Sequence, residues 1–285
     1  MINIIDTFEE IVRLAEKGTF SMDKWERYAA SISESLPPKL LEDAKDYDFD
    51  SQIFPILESA LNSPSQAERA HRSFLKVTDK LPQRFYEVFG FEPDVQIVLY
   101  LGLCSGAGWA TELDGKKFVL LGLEKIVELD WCSETNMVGL VYHELGHMVH
   151  DTLGTLRVET KKASDRSAWQ LFQEGVAMYC EQLLCGRNDL YHQDKNGWLA
   201  WCREHKKELF SEYFRRMDLN ESTQDFFGDW CSYRGHSDTG YYLGCEFVKD
   251  LVKKYSFQKT VRMDLNQVKE GLNGFQASLC PVRTV

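Results

Sequence analysis

Five residues, His143-Glu144-Leu145-Gly146-His147, lie in an otherwise apolar stretch and restrict how that stretch can fold. Met137, Val138, Leu140, Val141, Leu145, Met148 and Val149 surround them with the pattern of a largely buried helix. Residues four apart share one face of a helix, so His143 and His147 present two imidazoles to the same point. Glu144 flanks that point. Two imidazoles and a carboxylate so disposed can hold a metal ion and take a proton from a water it activates. The same letters also fit a core helix whose histidines bond to backbone or carboxylates. The Glu directly after the first His favours the metal. Ser133 or Asn136 can cap the start of this helix and Gly154 can end it.

A catalytic zinc ion takes three protein ligands and keeps its fourth position open. His150 shares the face of His143, but seven residues of helix put it about 10.5 Å further along the axis. Near the helix end, its partial charge would suit the C-terminal dipole. The metzincin spacing also fails, because the positions of its Gly and third His hold His150 and Leu153. Residues 167–184 read as a second amphipathic helix, with Trp169, Phe172, Val176, Tyr179 and Leu183 as its stripe. Glu174 sits in its middle, beside Gly175 and Ala177, whose small size lets another helix approach closely. Glu174 is therefore the candidate third ligand, whereas Glu181, one heptad later, reads as a solvated residue.

With these elements in place, the chain resembles the gluzincin clan of zinc metallopeptidases. H-E-x-x-H is followed by the helix Glu174-Gly175-Val176-Ala177-Met178-Tyr179, and then by Gly240-Tyr241-Tyr242-Leu243-Gly244, similar to the Tyr-x-x-Gly helix of several such families. The three elements span residues 137–255. Two features depart from the pattern. Twenty-six residues separate His147 from Glu174, more than in aminopeptidase-type members. Met178 stands where thermolysin-like members carry an Asp that orients the first His, so His143 needs a partner from elsewhere.

The resemblance implies an α+β, predominantly helical fold. A zincin-like domain over residues 91–285 would carry a small sheet, after an N-terminal helical region over residues 1–90. It implies Zn²⁺ held by His143, His147 and Glu174, with Glu144 as general base in the hydrolysis of a peptide or protein substrate. Tyr241 is the first candidate to stabilise the tetrahedral intermediate; His236 and Tyr242 are alternatives, and Arg234 a weaker one. A zinc hydrolase of a non-peptide amide and a zincin-like metal-binding interaction module are the competing expectations. The intact Glu144 weighs against the second of these.

Two aliphatic runs, 95–103 and 117–123, can supply the strands, including an edge strand beside the metal. The Gly-rich segment 104–111 between them allows close backbone approach, and an extended substrate can add there as a strand. Its G-x-G is not a nucleotide signature, because a strand pattern and not a helix follows it. Residues 1–90 read as five or six short helices broken at Gly18, Pro37-Pro38, Pro55, Pro64 and Pro82. Phe226, Phe227 and Trp230 occur in a loop that can wall a cleft or fill core.

A net charge of −11 argues against nucleic acid and anionic membranes as partners. No stretch approaches a membrane span and the start does not read as a signal peptide, so a cytoplasmic location is expected. The eight cysteines form no C-x-x-C pair; buried free thiols are expected, with Cys104, Cys180 and Cys245 set in apolar patterns.

Overall fold

The computed structural model describes residues 1–15, 20–228 and 230–279. The fold is α+β and predominantly helical, with a four-stranded mixed sheet. No helix among the described residues is long and apolar enough to cross a membrane. By its internal contacts the chain divides into two compact units, Met1–Glu144 and Leu145–Val285. The division falls inside one unbroken helix.

In the first unit, strand β1 (Ile2–Asp6) is followed by helices α1 (Phe8–Ala15), α2 (Met22–Ile32), α3 (Leu36–Ala44), α4 (Phe54–Leu61), α5 (Pro64–Thr78) and α6 (Leu81–Phe89). Prolines in the first two positions open α3 to α6, where a missing N–H costs nothing. They start helices here as much as they separate them. Gly18, expected to break the first helix, lies outside the described residues. Strands β2 (Val95–Tyr100), β3 (Gly108–Leu113) and β4 (Lys116–Gly122) lead to the short α7 (Leu123–Glu128).

The sheet order is β1-β2-β4-β3. β1 and β4 flank β2 in parallel, and β3 runs antiparallel to β4. The runs expected at 95–103 and 117–123 are therefore the two central strands, buried as their aliphatic content demands. The edge strand comes instead from the Gly-rich segment. β3 joins β4 through Asp114-Gly115, both at positive φ, the backbone of a two-residue hairpin turn. β1 is the second departure from the sequence reading, since residues 1–90 were expected to be helical throughout. Trp25, fully buried, fastens α2 to this unit by donating its indole N–H to Leu101 O at 2.9 Å.

Helix α8 (Glu134–Leu153) crosses the division. The second unit continues with α9 (Ala163–Cys185), α10 (Trp198–Glu204), α11 (Lys206–Asp218), α12 (Thr239–Lys254), α13 (Phe257–Thr260) and α14 (Leu265–Leu279). Phe210, Phe275, Phe247 and Phe172 form a continuous aromatic core between α11, α14, α12 and α9, with successive centroids 4.8, 5.7 and 6.5 Å apart. All seven described cysteines are free thiols; Cys280 lies outside the described residues.

Candidate metal centre

Helix α8 begins where Ser133 accepts a hydrogen bond from the Asn136 N–H at 3.2 Å, so Ser133 is the cap. It ends at Gly154, where the Val261 carbonyl approaches so closely that no side chain fits. Arg262 Nε donates to the Leu153 carbonyl at 2.9 Å, satisfying one carbonyl at the helix end. Met137, Leu140, Val141, Leu145, Met148 and Val149 are all buried, as their spacing predicts. Because α8 is one helix, His143 and His147 stand one turn apart on one face.

Helix α9 meets α8 at Gly146. A Cβ there would stand 2.7 Å from both Cα and O of Ala177 and 3.0 Å from Cys180 Cβ. Helix α12 meets α9 one residue beyond Glu174, with Gly244 and Gly175 backbone to backbone. The small residues beside Glu174 thus serve two neighbours, Ala177 toward α8 and Gly175 toward α12. This clamp brings Glu174 Oε2 to 3.4 Å from His147 Nε2. Both side chains are mostly buried, at 19% and 13% exposure. One ligand atom each from His143, His147 and Glu174 lies within 4.8 Å of the other two.

Bonds of about 2.0–2.1 Å at tetrahedral angles put donor atoms roughly 3.3 Å apart, so the 3.4 Å separation fits a shared zinc ion. Two imidazole nitrogens and one carboxylate oxygen also form a donor set that leaves zinc an open position. The residues fit the group. Glu144, 6% exposed, projects from the same helix, and a Cβ on Gly108 would meet its carboxylate at 2.5 Å. The first residue of β3 is therefore glycine where the edge strand passes the candidate base.

His150 lies in the last turn of α8, as its position in the sequence implies, but it carries no charge there. It is fully buried, against Phe172 at 5.2 Å and Trp169 at 5.9 Å. Burial, then the neighbouring His147, lowers its pKa to about 3, so the ring is neutral at pH 7. Glu181 also departs from the sequence reading. It is completely buried, with Oε2 3.0 Å from His192 Nδ1, and His192 is itself 7% exposed.

Of the residues considered for the oxyanion, Tyr241 lies in the first turn of α12, half-buried, its ring edge-on to Phe227 at 5.6 Å. Tyr242 is buried against Tyr191, and burial raises the pKa of its hydroxyl. His236 stacks on Trp201 at 3.8 Å, and Arg234 is paired with Glu208. Phe226 and Phe227 are core residues, packed on Tyr213 at 5.0 and 6.3 Å, whereas Trp230 is 66% exposed.

Sequence reasoning missed the Glu181–His192 pair and the start of β3 at Glu144. Asp114-Gly115 just before the aliphatic run 117–123 was the available signal for β3. For Glu181 it was the seven-residue spacing from Glu174, which returns to the same helix face. No family model, no curated protein and no solved structure matches the chain.

Proposed function

We propose that the chain is a zinc-dependent metallopeptidase, with a gluzincin-type, zincin-like catalytic domain over residues 91–285. The observation that carries this reading is the convergence of His147 and Glu174, with His143 one turn back on α8 and Glu144 next to it. Zinc bound by His143, His147 and Glu174 would bring the pKa of a water toward neutrality and polarise the scissile carbonyl.

Glu144 accepts the proton of the attacking water and returns it to the leaving amine. Tyr241 donates a hydrogen bond to the oxyanion, a role for which its partial exposure suits it better than buried Tyr242 or stacked His236. The peptide adds as a further strand along β3, which passes Glu144 at Gly108. Seven free thiols support a reducing compartment, the cytoplasm, as the place of action.

A peptide-library digest of zinc-loaded protein tests the reading. Wild type is expected to cleave, and Glu144→Gln to keep its zinc while cleavage falls about 10²–10⁴-fold. A wild type that holds zinc and cleaves no peptide in the library would end the peptidase assignment.

A further inference from the structure

His143 belongs to two clusters. One ring nitrogen of His143, one carboxylate oxygen of Glu181 and one ring nitrogen of His192 lie within 4.8 Å of one another, all three residues being buried. An imidazole has two nitrogens, and a ligand histidine uses only one on its metal. The other N–H is commonly held by a carboxylate, which fixes the ring's tautomer and orientation and raises its basicity.

We propose that Glu181, held in place by His192, is the positioning residue for His143 as a metal ligand. This rests on the reading of His143, His147 and Glu174 as the zinc ligands. Glu181 follows Glu174 by two turns on the same face of α9, so one helix supplies both the ligand and the support for a ligand on α8. A fully buried carboxylate is costly unless it is hydrogen-bonded, and Glu181 is completely buried. His192 meets that need at 3.0 Å.

His192 comes from the segment joining α9 to α10, which folds back onto α9 at neighbouring positions. Gln182 Nε2 donates to Leu190 O at 2.9 Å, and Gln193 Nε2 lies 3.7 Å from Met178 Sδ. Tyr191, His192 and Gln193 are consequently buried although they lie in a connection, where side chains are usually exposed. Met178 carries no acid, and the carboxylate stands three residues further along the helix.

Zinc affinity of the full chain, measured by competition with a chromophoric chelator, tests the proposal, with the visible spectrum of the Co²⁺-substituted protein as a second readout. Glu181→Gln and His192→Leu are each expected to bind one equivalent 10–100-fold more weakly than wild type and to alter the Co²⁺ spectrum. His192→Asn, which keeps an N–H donor near the Nδ1 position, is expected to restore most of the affinity. Glu181→Gln should leave the circular dichroism of the metal-free protein unchanged; if that variant does not fold, the two His192 variants decide the matter.

Unchanged affinity in Glu181→Gln and His192→Leu would overturn the proposal while leaving the proposed function intact. Loss of all zinc in both, with Glu174→Ala still loaded, would also overturn it, by placing the ion on His143, Glu181 and His192. A wild type that takes up no zinc would overturn both readings.

Discussion

Gly146 and Ala177 are in backbone contact: a Cβ on Gly146 would stand 2.7 Å from Ala177 Cα, closer than packed carbons tolerate. This crossing sets the distance between the helix that carries His147 and the helix that carries Glu174. Gly146→Val is expected to destabilise the protein by about 1–3 kcal/mol through overpacking. Zinc uptake should fall with it, because α9 must move away. Gly274→Ala on α14, where a Cβ meets nothing within 4 Å, is the control. It is expected to be neutral or to stabilise by up to about 1 kcal/mol. Urea unfolding of both variants, with zinc content measured on the same samples, checks the pair.

Gly108 faces the Glu144 carboxylate in the same way, so its substitution separates the base from the metal ligands. Gly108→Ala is expected to displace Glu144 and lower kcat by about 10–100-fold, the scale of an ångström-sized misplacement. Zinc stoichiometry should remain that of wild type. Equal kcat in the two proteins would show that β3 does not constrain the base.

Glu124, which is none of the candidate metal ligands, provides a pH-dependent stability signal. It is fully buried and accepts backbone N–H bonds from Gly102 at 2.9 Å and Cys104 at 3.1 Å. Burial raises its pKa above the ordinary glutamate value, and these hydrogen bonds oppose the shift. The folded state then binds this proton more tightly than the unfolded chain does. Stability from this group is fully present below the ordinary glutamate pKa and is lost as pH rises through the higher folded value. The unfolding free energy of wild type minus that of Glu124→Gln is therefore expected to decline with pH across that window and to be flat below it. A difference that rises with pH would contradict the assignment.

The helices that carry the candidate site were legible because their signals are local. The apolar spacing around His143 and His147 marked α8, and the stripe from Trp169 to Val176 marked α9 within a few residues of its ends. β1 was missed because Ile2 to Ile5 is a short apolar run that periodicity cannot separate from the start of a helix. β3 was missed because Gly108, Trp109, Ala110 and Thr111 follow a glycine-rich run, and only pairing with β4 makes a strand of them.

Glu181 and His150 were misread for one reason. Glu181 was expected in solvent and His150 to carry charge in the last turn of α8, where it does lie, whereas burial of a polar side chain depends on what packs over it. For Glu181 that is His192, eleven residues away, and for His150 it is Trp169 and Phe172 on the next helix.

The most direct test of the central claim is metal content by inductively coupled plasma mass spectrometry, on zinc-reconstituted wild type, His147→Ala and Glu174→Ala. One equivalent of zinc in wild type, depleted in both variants, is the expected result. A wild type without zinc, or full zinc in both variants, would contradict the claim that His143, His147 and Glu174 form the metal centre.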